Sequence, residues 1–150
     1  MILWRISNHR TLDGYGGLIA HARWHSMGRR IVYLAETPAG ALLEALVHLE
    51  LDIDSLPSSY RLLKVEAPES VKMKQLSQGD LSKDWVTDQA RTREIGDGWL
   101  ASRESALLRV PSAVIPESFN VLLNPEHEHA RRLKIVGHHK YPWDQRLFGR

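Results

Sequence analysis

Glu44 stands in "TPAGALLEALVHLE" (residues 37–50) with His48 one helical turn beyond it, and almost everything around the two is apolar. A carboxylate and an imidazole four residues apart share one face of a helix. On a wheel of residues 39–50 at about 100° per residue, Leu42, Leu43, Ala45, Leu46, Val47 and Leu49 cover a broad apolar arc. The wedge left over holds Gly40, Ala41, Glu44 and His48. Two readings fit it. One is an ordinary solvent strip, although such a strip usually carries several long polar chains. The other is the wall of a cleft, which small residues flanking a single carboxylate would suit.

Three further groups have chemistry to offer, each beside a plainer role. Tyr33 lies in "RIVYLA" just before that helix, where a buried phenol needs a hydrogen-bond partner whether it serves a core or a site. Arg23 precedes Trp24 in "ARWHS" and is either a surface guanidinium lying across an indole or a fork of donors for a diphosphate. Ser112, between two prolines in "VPSAVIP", either satisfies backbone or supplies a hydroxyl donor. Taken together, a guanidinium, an aromatic surface, a carboxylate and a hydroxyl are what recognising and splitting a nucleotide requires.

The remaining polar clusters point nowhere as specific. His127, His129, His138 and His139 supply nitrogen, but their spacing matches no metalloprotease or zinc-finger pattern, so no metal is expected. The absence of cysteine removes disulfides, thiolate nucleophiles and thiolate metal sites. No "GxSxG" elbow accompanies Ser112. The glycines of "LDGYGGLIA" match neither the dinucleotide nor the P-loop spacing and read as a turn needing positive φ. With 20 Lys and Arg against 18 Asp and Glu, no general affinity for nucleic acid follows. "GRR" at 28–30 and "RRLK" at 131–134 read as solvated faces.

Elements able to position these groups follow from periodicity. "ILWRIS" sets Ile2, Trp4 and Ile6 against Leu3, Arg5 and Ser7, the alternation of a half-buried strand. "RIVYLA" is apolar on both faces and belongs in the middle of a sheet. Thr37 as N-cap and Pro38 at the first helical position start a helix directly after it. "YRLLKVEAP", "VKMKQLS", "ALLRVPSAVI", "FNVLLNP" and "KIVGHH" read as strands. "VTDQARTREIGDGWLAS" reads as a helix, and "PEHEHARRL" as a short helix begun by Pro125. Many strands and about three helices, out of regular alternation, predict an α+β domain with a mixed or antiparallel sheet. With 150 residues at 43% hydrophobic content, one core and one domain over 1–150 are expected. No window approaches about eighteen apolar residues and the N-terminus has no cleavable-leader pattern, so the expected compartment is the cytoplasm.

"LWRIS", "ARWHSMG", "IVYLAETPAGALLEALVHL" and "VPSAVIPESFNVLLNP" resemble, in that order and over nearly the whole chain, the RES-domain family, the toxin half of Xre/RES toxin–antitoxin pairs. The family's Arg, Glu and Ser map onto Arg23, Glu44 and Ser112, with Tyr33 as a further active-site position. One departure is "NPEHEH", where the family more often has Pro in place of Glu128, which bears on the turn after His127. The resemblance implies a fold like the diphtheria-toxin type of ADP-ribosyltransferase, an activity on NAD, growth arrest, and restraint by an Xre-family antitoxin encoded alongside. Members degrade NAD by hydrolysis or phosphorolysis, or transfer ADP-ribose to a protein. On this reading Arg23 clamps the diphosphate, Tyr33 packs on nicotinamide or ribose, and Ser112 bonds nicotinamide or a ribose. Arg5, Asn124 and His48 complete the pocket, and a homo-oligomer forms within the complex. Two rival classes are a ribonuclease, which needs His48, His127 or His25 to converge, and a non-catalytic nucleic-acid-binding module.

Overall fold

The computed structural model describes residues 1–48 and 57–149. Seven strands form one sheet: β1 (Ile2–Ile6), β2 (Val32–Ala35), β3 (Ser59–Glu66), β4 (Met73–Gln75), β5 (Leu107–Pro111), β6 (Phe119–Leu123) and β7 (Lys134–Pro142). Their order is β4-β5-β6-β2-β1-β3-β7, and every pairing is antiparallel except β4 with β5. Three helices accompany the sheet, α1 (Gly16–Ile19), α2 (Pro38–His48) and α3 (Gln89–Ser102). The architecture is therefore α+β with a mixed sheet, as periodicity predicted. Strand β2 lies between β6 and β1, where a run apolar on both faces has to be.

Register assigns the two faces, because paired residues project to the same side. Leu3, Val32, Leu34, Val65, Val121 and Leu123 form a core on one face, closed over by Leu12, Ala130 and Leu133. On the other, Leu108 and Leu122 pack with Trp24, Ile31, Trp99 and Leu100, so α3 covers the β5–β6 side. Tyr33 pairs with Leu122, and Ala35 with Asn120 and Trp4, which puts all of them on this second face, beside α3 and beneath α2.

Local chemistry explains where the helices sit. Thr37 Oγ1 accepts from Gly40 N at 2.9 Å and caps α2, leaving only Glu36 and Thr37 between β2 and the helix. Asp88 caps α3 by accepting from Arg91 N at 3.1 Å. Gly96, an unfavourable residue in mid-helix, lets residues 22–26 lie directly on α3: a Cβ there would stand 1.7 Å from the Trp24 carbonyl oxygen. Gly14 takes the positive φ of +69° that the glycine-rich turn required, while Gly16 and Gly17 enter α1.

Three expectations change. In β1 it is Leu3 that is fully buried, while Ile2 is exposed and Trp4 and Ile6 are half-buried, so the Ile2-Trp4-Ile6 face fronts the cleft and not the core. In α2 only Ala41 is buried, Leu42, Leu43, Ala45 and Leu46 are half-buried and Val47 is 56% exposed, so the apolar arc is not the buried face of the helix, and the side that carries Ala41 and Glu44 faces the sheet. Leu49 of that arc lies outside the described residues. The helix expected from Pro125 is a chain of tight turns ending in a 3₁₀ turn at Ala130–Arg132. The amides of His127, Ala130, Arg132 and Leu133 each bond a carbonyl three residues back, so no α-helical ladder forms.

Candidate active site

With the side carrying Ala41 turned inward, α2 aims Glu44 at the ends of β5 and β6. Ser112 Oγ donates to Glu44 Oε1 at 2.7 Å, and Asn120 Nδ2 donates to the same oxygen at 2.9 Å. Ser112 is buried just past β5, and its oxygen also accepts from the amides of Val114 (3.1 Å) and Ile115 (3.2 Å), which fixes the hydroxyl and sends its proton to the carboxylate. Glu44 Oε2 has only His48 Nε2 near it, at 3.9 Å, and the Glu44 side chain keeps 24% of its surface open. One oxygen is anchored by two neutral donors, and Glu44 lines a cavity of about 290 Å³ with Trp4, Ile6, Tyr33, Ala41 and Asn120. His48 lines it too, though its side chain is 64% exposed.

Ala22 lines the cavity as well, and the segment 22–26 that carries it is held from behind. Ser26 places its hydroxyl (2.6 Å) and its amide (2.9 Å) on the Asp97 carboxylate, while Thr92 Oγ1 donates to Arg23 O at 2.7 Å and Arg93 Nε to Ala22 O at 2.9 Å. His25, 3% exposed, lies 2.8 Å from the Ala20 carbonyl through Nε2 and 2.8 Å from the Tyr33 hydroxyl through Nδ1. A carbonyl can only accept, so Nε2 carries the proton and Nδ1 accepts from Tyr33, whose oxygen in turn accepts from Trp24 N at 3.1 Å. Burial lowers the His25 pKa, against the Ala20 hydrogen bond and the charge of Asp97, and keeps the ring neutral. Burial likewise drives the Tyr33 phenol far above its ordinary range. The hydroxyl of Tyr33 is thus fully used behind the wall, and what it presents to the cavity is its ring.

Arg23, Arg5 and Asn124 each have partners of their own. Arg23 donates through Nη1 to Val86 O at 2.7 Å and sits 5.8 Å from the Trp85 ring. Burial depresses its pKa, and the negative charge of Glu44 opposes this, so the two charges sense each other across the cleft. The rest of its fork has no partner among the described residues. Arg5 lines the cavity, but its Nη1 donates to Thr11 O at 3.4 Å, tying it to the turn that carries Asp13. Ser112 contacts Glu44 rather than the open cavity. Asn124 is not in the cleft: it is fully buried, donates to Leu100 O at 3.1 Å and accepts from Glu126 N at 3.1 Å, joining the end of β6 to α3. The asparagine at the site is Asn120, which no motif indicated. Its signal was the strand period, since Asn120 is two residues from Leu122, the register partner of Tyr33. His25, Ser26 and Asp97 were likewise unassigned as supports. Of the histidines a ribonuclease centre would need, His25 bonds Tyr33 and Ala20, His48 stands 3.9 Å from Glu44 and His127 packs against His129 with 5.2 Å between the rings, so each has different neighbours. Among the described residues no three His, Asp or Glu side chains gather as a metal site.

A family model described as the RES domain covers residues 2–144. The chain is 45% identical over 148 residues to the "Toxin Res" of Pseudomonas putida, covering 99% of this chain and 100% of that protein. It is 36% identical over 154 residues to the "Prs ADP-ribosylating toxin" of a Sphingobium species, covering 96% and 94% of the two. The chain belongs to the RES-domain toxin family. In fold it is similar to the crystal structure of the M. tuberculosis MbcT–MbcA toxin–antitoxin complex, with a TM-score of 0.75 at 14% identity over 99% of this chain and 86% of that one. No helix among the described residues is long and apolar enough to cross a membrane.

Proposed function

We propose that this protein is an NAD-consuming toxin that cleaves the bond between nicotinamide and ribose, acts in the cytoplasm, and is silenced by an Xre-family antitoxin. The observation that carries this reading is the carboxylate of Glu44, anchored through Oε1 by the neutral donors Ser112 and Asn120 and lining a cavity of about 290 Å³. As the C1′–N bond breaks, nicotinamide leaves with the bonding electron pair and the ribose becomes an oxocarbenium-like cation. A fixed negative oxygen beside that ribose stabilises the cation without having to reorganise. The Tyr33 ring forms an apolar wall for nicotinamide or ribose, and the unused donors of Arg23 meet the diphosphate. Water then adds to C1′ and loses a proton, giving ADP-ribose; phosphate or a protein side chain in its place gives the phosphorolysis or transfer product.

Similarity to relatives named as toxins, one of them ADP-ribosylating, supports the reading. Purified protein incubated with NAD is expected to release free nicotinamide, and the mass of the second product identifies the acceptor. NAD left intact, with or without phosphate and with or without cell lysate as a source of acceptor protein, would contradict the proposal. In cells, expression of the chain alone is expected to arrest growth, and co-expression of the antitoxin to restore it.

A further inference from the structure

Beside the cleft lies a second cavity, of about 200 Å³, whose walls are unlike the first. Ile6 and Ala45 line both, so the two form one trough running along β1 beneath α2. Tyr60 shares the trough's face of the sheet, because Trp4 pairs with Lys64 and Tyr60 stands four residues earlier on the same strand. Its ring meets that of Trp143, with centroids 4.6 Å apart at 44°, so the end of the trough is an aromatic corner. Trp143 is only 7% exposed, yet its indole Nε1–H has no hydrogen-bond partner among the described residues. A buried donor without an acceptor is destabilising, and it marks where an acceptor belongs. Asn8 and Ser59 add neutral polar groups and no carboxylate is among the lining residues, while the guanidinium of Arg61 is turned to His138, 3.1 Å away on the other face of the sheet.

We infer that this cavity is the adenine subsite for the same NAD molecule, an assignment that rests on the NAD reading above. A purine has flat faces to stack on Tyr60 and ring nitrogens that accept from an indole N–H, while its exocyclic amine can donate to Asn8 or Ser59. The riboses and the diphosphate would lie along the trough between Glu44 and the aromatic corner, over Ile6 and Ala45, which line both cavities.

The test compares NAD with nicotinamide mononucleotide, which has the scissile bond but lacks the adenosine half. The wild-type protein is expected to show a higher kcat/KM on NAD. Tyr60→Ala should raise KM for NAD roughly tenfold, as loss of one base–aromatic stack does, with a much smaller change in kcat. Trp143→Phe keeps the aromatic packing and removes only the N–H, and should raise the same KM by a smaller factor. Neither variant should alter turnover of the mononucleotide, and adenosine monophosphate should inhibit the wild type more strongly than either variant. An unchanged KM for NAD in both variants, or an equal fall on both substrates, would overturn the subsite. If only NAD is turned over, the KM shift together with inhibition by adenosine monophosphate decides. Release of nicotinamide from neither substrate by the wild type would instead sink the NAD reading, and the subsite with it.

Discussion

Glu36 and Glu44 stand eight residues apart on either side of the β2–α2 junction, and both reach toward the β5–β6 strands, but their charges are treated in opposite ways. Glu36 is gripped by the fork of Arg109, with Nε on one oxygen and Nη2 on the other at 3.1 Å, and the same guanidinium lies 3.5 Å above the ring centroid of Phe119. Both of its oxygens face a cation, so its charge is cancelled in place. Glu44 receives a hydroxyl and an amide, both neutral and both on one oxygen. Its geometry is as well fixed as that of Glu36, while its charge stays available to whatever enters the cavity. An ion pair joins parts of a fold; a carboxylate held by neutral donors keeps an electric field for a substrate.

The sharpest way to break this comparison is to neutralise each carboxylate in turn. Glu44→Gln retains an amide oxygen for Ser112 and Asn120 and a similar helix propensity, but removes the charge. Nicotinamide release from NAD is expected to fall several hundredfold, corresponding to roughly 3–4 kcal/mol of lost transition-state stabilisation, with little change in melting temperature. Removing the donors sharpens the contrast, because a hydrogen bond to a charged group is worth about 1.5–3 kcal/mol. Asn120→Ala and Ser112→Ala should each slow turnover by about ten- to a hundredfold. Of the two, Ser112→Ala should also lower the melting temperature more, because it leaves the amides of Val114 and Ile115 without their acceptor.

Glu36→Gln should act the other way. It leaves Arg109 with an uncompensated charge in a half-buried site, and a destabilisation of about 1–3 kcal/mol is expected, read as a fall of several degrees in melting temperature. Turnover should stay within a few-fold of wild type. The smallest effect belongs to His25. Its pKa is depressed in the folded protein, whereas the unfolded chain takes up a proton near the ordinary value of about 6.5. The unfolded state therefore binds more protons in acid. The stability due to neutral His25 is fully present above about pH 6.5 and is lost as pH falls below it. Melting temperatures measured between pH 7.5 and pH 5 should drop on acidification, and His25→Gln should flatten part of that slope while starting from a lower midpoint.

Much of this frame could be read from periodicity and capping. Thr37 and Pro38 located the start of α2, and the two-sided apolar run of β2 put Tyr33 at the centre of a sheet. The spacing of Glu44 and His48 set them on one helical face. What periodicity could not say was which face meets the sheet. A wheel with a broad apolar arc normally turns that arc inward; here the two-residue link from β2 orients the helix so that the side carrying Ala41 and Glu44 meets the sheet, while His48 at its end stays exposed. The partners of Glu44 were half legible. Ser112 sits in a recognisable segment between prolines, but its bond to Glu44 joins residues 68 positions apart. Asn120 looked like one more strand residue, while Asn124 was the asparagine that the resemblance put in the pocket. Arg5 shows the same limit, since its tie to Thr11 depends on a loop whose path only the folded chain reveals.

The central claim is that Glu44 keeps a working charge while Glu36 does not, and one side-by-side assay addresses it directly. Nicotinamide release from NAD is measured for the wild type, Glu44→Gln and Glu36→Gln at matched concentration, with thermal melting recorded on the same samples. The expected result is a folded Glu44→Gln protein that releases nicotinamide hundreds of times more slowly, beside a less stable Glu36→Gln protein of nearly normal rate. A folded Glu44→Gln protein working at the wild-type rate, or an equal loss of rate in both variants at a temperature where both are folded, would contradict it.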